Sequence, residues 1–399
     1  MNLSDTPEQN AYRTHVRDWL TQHMPRPGER ADAARMKRWQ QDLRAAGFVG
    51  ASWPKEYGGG SLTGDQQTIL NEELALADAP PIPGGMGLLW VGPAIIRYGS
   101  AAQKEHYVPA ILNGEHTWCT GYSEPNAGSD LAALRTSAVR DGDAYVVNGQ
   151  KIWTTVAHLS NYCFLLARTS DQGAKQAGLT VLLVDMKLPG IEVRPLRQIT
   201  GDCEFNEVFF SDVRVPVDAR LGAEGQGWEI VRSALVDERT GMAASIRVDK
   251  DLEAVIELAR RVGKTADPVT RQKIAELAIG CHTLKWSSAR MMSDLLRGRL
   301  HPGVAASNKF FTSNLLQALS ECAIEILGPM GLLYEQPADV HNVERERDVK
   351  SVAATAATPN LADATPGYKF LYNRCLTIAG GTSEVQRNIM AQRVLGLPR

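Results

Sequence analysis

The sequence predicts an α+β protein in three successive parts: a helical domain over residues 1–115, a small β-sandwich or barrel over 116–225, and a helical bundle over 226–399. Three observations carry this. Apolar residues recur at helical spacing before about residue 115 and again after about 226. Between them, short Val-, Ile-, Thr- and aromatic-rich runs alternate with Gly, Asp and Asn turn signals. The 399 residues, 44% of them apolar, suffice for several packed units.

In the first part, Tyr12, Val16, Trp19, Leu20 and His23 form one helical face, and Pro25 and Pro27 end that helix. Further helical patterns cover 33–46, 65–78, 88–98 and 102–112, with glycine and proline clusters at 58–60 and 80–87 as breaks. In the second part, 136–140 and 144–147 flank Asp141-Gly142-Asp143, a hairpin signal. Asn148-Gly149 then reads as a turn into 151–155, and strand-like runs follow at 163–167, 179–184, 191–195 and 207–210. In the third part, Ile274, Leu277, Ala278, Cys281, Leu284, Ser288, Met291, Met292 and Leu295 hold one face over six turns. A second long helix is expected at 304–327. The Ala-, Thr- and Pro-rich stretch 351–366 reads as an inserted surface loop.

A formal net charge of −2 gives no electrostatic case for nucleic acid or an anionic membrane. The six cysteines are widely spaced, which argues against a zinc site or disulfide framework and fits a reducing, cytoplasmic setting. Residues 1–30 lack the apolar core of a signal peptide, and no run of 18 apolar residues occurs, so no membrane span is expected. Gly263-Lys264-Thr265 is not a P-loop, because Leu258 stands where its first glycine belongs. No Rossmann fingerprint follows a predicted strand, and the eight histidines show no metal-ligand spacing.

Three segments carry chemistry. Residues 378–389 run a glycine pair, Gly380-Gly381, into a helix opened by Thr382 and Ser383. The Ser383 to Gln386 spacing suits a capping box, and such a helix start favours anionic or accepting ligand groups. Residues 122–130 read Tyr-Ser-Glu-Pro-Asn-Ala-Gly-Ser-Asp, and 148–155 read Asn-Gly-Gln-Lys-Ile-Trp-Thr-Thr. Trp153 and Thr155, two apart on a predicted strand, point to one face.

In this order and at these distances, the three segments resemble the acyl-CoA dehydrogenase flavoprotein family over nearly the whole chain. The resemblance implies an N-terminal helical domain, a small β domain and a C-terminal four-helix bundle that tetramerises. It also implies FAD as cofactor, an acyl-CoA substrate and an electron-transferring flavoprotein as acceptor. By the same resemblance, Tyr122, Ser123, Gly128, Ser129, Trp153, Thr154, Thr155, Thr382, Ser383 and Glu384 contact the cofactor, and Ser129 also meets substrate. No metal is implied. A flat ring with a polar edge needs such an aromatic wall and short donors.

The family's reaction is α,β-desaturation, in which a carboxylate removes the α-proton. Many members place a glutamate directly before the Gly-Thr of the last motif, where this chain has Gly380. A smaller branch uses a glutamate before an arginine on the helix after the β domain. That gives Glu238 as base and Arg239 as a substrate-holding residue, with Asp237 as the rival carboxylate. The missing side chain at Gly380 suggests room for a branched or bulky acyl group.

Two departures concern the oligomer. The Arg-x-x-Phe-Gly segment that members lend to a neighbour's flavin has no clear counterpart in 259–268. A Gln-x-x-Gly-Gly segment is replaced by Glu325-Ile-Leu-Gly-Pro329, whose carboxylate repels phosphate and whose proline lacks an N–H. The expectation is a tetramer, homomeric or built with a related chain that supplies the missing contacts. A non-catalytic subunit, and a flavin oxidase or desulfinase, are the alternative readings.

Overall fold

The computed structural model describes residues 5–26, 29, 32–80, 85–239, 243–297, 299, 302–333 and 365–398. The order of helices, sheet and helices expected from the sequence holds. Most of the insertion at 351–366, together with the residues before it from 334, lies outside the described residues.

The first part contains α1 (Pro7–His23), α2 (Ala33–Ala45), α3 (Gly64–Leu76), α4 (Gly92–Tyr98) and α5 (Ala101–Leu112). Helices α1, α3 and α5 each open with a capping box, made by Thr6 and Gln9, Thr63 and Gln66, and Ser100 and Gln103. Each box satisfies two N–H groups that the helix itself cannot. Buried Glu73 on α3 takes Arg13 and Arg17 of α1, which fixes the packing of those two helices. The pattern at 88–98 is helical throughout but not uniformly α: Gly87–Val91 form a π-helical turn that leads directly into α4. Pro93 lacks the N–H a regular helix would use there, and a Cβ at Gly92 would lie 2.1 Å from the Trp53 ring.

The middle part comprises β1 (Trp118–Gly121), β2 (Ser137–Asp141), β3 (Ala144–Thr155), β4 (Tyr162–Arg168), β5 (Leu179–Asp185), β6 (Ile191–Leu196), β7 (Phe205–Pro216) and β8 (Arg220–Leu221). Their order is β6-β7-β3-β2-β4-β5-β8, with β1 parallel to β4. The β2–β3 hairpin closes over Gly142-Asp143, as the turn signal predicts. Asn148-Gly149 is not a turn. The strand continues through it with a register irregularity against β7, and a Cβ on Gly149 would lie 2.5 Å from Thr136 Oγ1.

Strands β4 and β5 are apolar along nearly their whole length because both of their faces are covered. Phe164, Leu166, Val181 and Leu183 join the core of the first helical part, together with Ile230 and Val231. Cys163, Leu165, Leu182 and Val184 instead pack with Val147, Val208 and Val213 inside the sheet domain. Alternation along a strand thus feeds two cores at once.

The last part contains α6 (Gly227–Arg239), α7 (Ala243–Arg261), α8 (Pro268–Leu296), α9 (Pro302–Leu327), α10 (Pro366–Tyr372) and α11 (Ser383–Arg393). Helices α7, α8 and α9 share a core that includes Val255, Leu258, Leu277, Cys281, Leu284, Leu316 and Leu319. Among the described residues one helical stretch, Gly303–Leu332, is long and apolar enough to cross a membrane. Part of its apolar surface lies in that shared core. Short α10 and the residue after it tie the sheet domain to two helices of the bundle. Tyr368 reaches Asp202 of the sheet domain, Lys369 pairs with Asp251 of α7 at 2.7 Å, and the adjoining Asn373 donates to Leu316 O of α9.

Candidate active site

The segment 148–155 forms the second half of β3, where a second irregularity against β7 falls between Lys151 and Thr154. Three residues of β3 there span two of β7, as in a β-bulge. Trp153 sits in the bulge with φ +59°, a left-handed conformation rarely taken by an aromatic residue. Its indole is 58% exposed and meets the Phe205 ring edge-on. Thr154 is buried, with a hydroxyl that finds no hydrogen-bond partner among the described residues, and Thr155 is half-buried. An exposed tryptophan held in strained backbone beside an unpaired buried hydroxyl is costly unless something covers it.

The loop 122–130 is pinned against this strand. Ile152 N donates to Ser123 O at 2.9 Å. Lys151 Nζ, fully buried, donates to Tyr122 O at 3.0 Å and to Glu124 Oε1 at 2.9 Å. Glu124 also accepts from Thr136 N at 2.8 Å and Arg135 N at 2.7 Å. Burial pushes the Lys151 ammonium down to about 8, against the pull of Glu124. At Glu124 burial works upward, but Lys151 and the two backbone donors outweigh it and hold the carboxyl below its usual range. Gly128 and Ser129 are exposed beyond this anchor, and open space surrounds the Cα of Gly128. Sequence pattern did not flag Lys151 or Glu124. The one available signal is a lysine set at an inward position of a strand.

The third segment forms a separate assembly on α9 and α11. The helix cap is Thr382, whose hydroxyl accepts from Val385 N, so the expected Ser383–Gln386 capping box is corrected by one residue. Ser383 is the first helical residue and is buried, with no partner for its Oγ among the described residues. Gln386 instead turns back and donates to Gly380 O and Gly381 O, which its side chain reaches from the first turn. Lys309 of α9 donates to Leu376 O and Gly381 O. Gly380 and Gly381 have φ of +64° and +92°, so the turn itself demands glycine-like backbone. Glu384 points outward and pairs with Arg387.

Glu238, Arg239 and Asp237 form the last turn of α6, and their side chains lie outside the described residues. Helix α6 is held from its other end: Ile230, Val231 and Ala234 are buried, Arg97 bonds Ser233, and Tyr98 reaches Glu229 at 3.4 Å. At the other departure, Glu325 is paired with Lys273 on α8, and Pro329 lies in a 3-10 turn, Gly328–Leu332.

Three family profiles cover the chain in sequence order. The acyl-CoA dehydrogenase N-terminal domain matches residues 6–115, the middle domain 119–213 and the C-terminal domain 225–395. The chain belongs to the acyl-CoA dehydrogenase family. It is therefore an oxidoreductase that acts on acyl-CoA. Acyl-CoA dehydrogenase IpdE1 of Mycobacterium tuberculosis is 37% identical over 402 residues, covering 97% of each chain. Among solved structures, the ChsE4-ChsE5 complex from Mycobacterium tuberculosis matches at 31% identity with a TM-score of 0.80, covering 100% of both chains. The Tcur3481-Tcur3483 steroid ACAD matches at 27% identity with a TM-score of 0.81, also covering 100% of both.

Proposed function

We propose that this acyl-CoA dehydrogenase catalyses FAD-dependent α,β-desaturation of a bulky or branched acyl-CoA, with Glu238 as the α-proton base. The observation that carries the cofactor assignment is the β3 bulge: a strained, exposed Trp153 beside the unpaired, buried Thr154 hydroxyl. A flat ring laid on Trp153 would cover the indole and offer acceptors to the hydroxyl. The buried, unpaired Ser383 Oγ at a capped helix start gives a second set of donors for the nucleotide. These residues fit FAD, and Tyr122, Ser123, Gly128, Ser129, Thr155, Thr382 and Glu384 complete the proposed contacts.

When bound, FAD supplies the acceptor for the hydride that leaves the β-carbon. The chain's own task is to hold the thioester, exclude water and take the α-proton. Glu238 would do this from the last turn of α6, a helix whose buried face is anchored in the first helical core. Burying a carboxylate strengthens it as a base, because desolvation disfavours the charged form. Arg239 would hold substrate or orient Glu238.

The names of two relatives, a steroid ACAD and a two-protein complex, support a ring-bearing substrate and a hetero-oligomer. Glu325 and Pro329 favour the latter, since neither lends a donor to a phosphate. Reoxidation by an electron-transferring flavoprotein completes the cycle. Anaerobic titration tests the reading: the purified chain, alone and with related chains, is mixed with straight and ring-bearing acyl-CoAs while the flavin absorbance is followed. Bleaching by ring-bearing thioesters, with flavin held only in the mixed assembly, is the expected result. Full flavin occupancy in a stable homotetramer would overturn the partner requirement, and bleaching by straight-chain thioesters alone would overturn the substrate class.

A further inference from the structure

The peptide between Tyr122 and Ser123 is held by its oxygen alone. Its carbonyl accepts from the fully buried Lys151 ammonium at 3.0 Å. Its N–H, that of Ser123, meets no acceptor among the described residues. In a trans peptide the C=O and N–H point in opposite directions. With the carbonyl aimed inward at Lys151, the Ser123 N–H is aimed outward, on a loop anchored to the strand that carries Trp153.

Lys151 is itself fixed. Glu124 Oε1 receives it at 2.9 Å, while Arg135 N and Thr136 N lock the carboxylate from the far side. Glu124 and Ala127 exchange backbone bonds at 3.0 and 3.1 Å, which closes the loop on itself. The pair lies two residues before the bulged Trp153 in β3 and one residue after Ser123 in the loop. A charge-assisted bond on the carbonyl also polarises the amide, so its N–H becomes a stronger donor.

We infer that Lys151 and Glu124 are positioning residues of the cofactor site: they aim and polarise the Tyr122–Ser123 peptide so that the Ser123 N–H donates to an acceptor atom of the bound flavin ring. This rests on the flavin assignment above and goes beyond it. A fixed donor placed where negative charge gathers in the reduced ring favours reduction. The pair would therefore set both affinity and midpoint potential, although neither residue touches the ring.

The test uses the full chain in the assembly in which the wild type holds flavin. Lys151→Met removes the charge, and the Lys151→Met/Glu124→Gln double variant avoids an unpaired buried carboxylate. Flavin affinity is read by fluorescence and midpoint potential by dye equilibration. Both variants should bind flavin about tenfold more weakly, the loss of one good hydrogen bond. Both should also show a more negative potential, while the double variant regains the thermal stability lost by the single one. A double variant with wild-type affinity and potential overturns the inference, because the pair would then serve packing alone. Should neither variant fold, the wild type decides. Burial draws the Lys151 pKa down to about 8, with Glu124 and the Cys163 thiol opposing and the Arg168 guanidinium adding to the drop. Flavin affinity should break downward there, and a flat profile from about pH 7 to 9.5 overturns the inference. A wild type that binds no flavin in any assembly removes the flavin assignment itself, an outcome distinct from wild-type behaviour in the variants.

Discussion

The Tyr368 hydroxyl donates to Asp202 Oδ2 at 2.6 Å, and both residues are buried. Thr200 donates to the same oxygen at 2.7 Å, whereas Oδ1 finds no partner among the described residues. One phenol thus ties α10, the first element after the 334–364 stretch, to the sheet domain. Burial, with the Asp202 carboxylate adding to it, holds that phenol well above its usual range, so it keeps its proton and donates.

Tyr368→Phe should destabilise the chain by about 1.5–3 kcal/mol, the usual worth of a hydrogen bond to a charged group. Urea titration with fluorescence checks this. A variant as stable as the wild type would show that Asp202 does not depend on the bond.

Glu238→Gln should leave flavin binding intact and slow substrate-dependent flavin reduction by about 10²–10⁴-fold, the range for loss of a general base. Asp237→Asn should retain most of the rate. Stopped-flow bleaching under anaerobic conditions separates the two, and the opposite ranking would transfer the role to Asp237.

Gly380→Ala should cost about 1–2 kcal/mol, because φ of +64° is left-handed backbone that a Cβ disfavours. Pocket volume alone would predict a changed acyl preference at unchanged stability. Measuring the melting temperature beside a substrate panel distinguishes the two roles.

Stability should respond to pH through the Lys151–Glu124 pair in two windows. The Glu124 pKa is lower in the folded chain than in the unfolded one, so its contribution is present above about pH 4.3 and lost as pH falls through the folded value. Glu124→Gln should flatten that acid limb. Lys151 has linkage of the same sign in an alkaline window: from about 8 to the unfolded value near 10.4, the unfolded chain binds more protons, so this group also makes stability rise with pH. Lys151→Met should abolish that rise in denaturant titrations across the window.

Much of the fold was legible because long periodic runs leave few choices. The stripe through Val16 and Leu20 is buried, as is that through Leu277, Cys281 and Leu284. The misreadings arise where the surrounding chain overrode a local signal. Asn148-Gly149 is a strong turn signal, yet β7 pairs on both sides of it and Thr136 occupies the space a Cβ would need. The 88–98 helix takes a π turn just before Gly92, which lies against Trp53, a residue distant in sequence. At the third motif the spacing to Gln386 pointed to a cap at Ser383, whereas the glycine turn shifts the helix start to Thr382 and frees Gln386 to hold that turn. Lys151 and Glu124 were in quoted motifs, but a charged side chain announces neither its burial nor its partner until the loop and strand are brought together.

The parallel pairing of β1 with β4 sets Trp118 opposite Tyr162, so the ribosome must finish the whole β2–β3 hairpin before β1 has a neighbour. Hairpins zip from their turns, whereas this ladder must wait for a long loop to close. Tyr122 follows β1 directly, which makes its loop a late arrival during synthesis. A nascent chain released early would carry a finished hairpin beside a β1 strand still without its ladder.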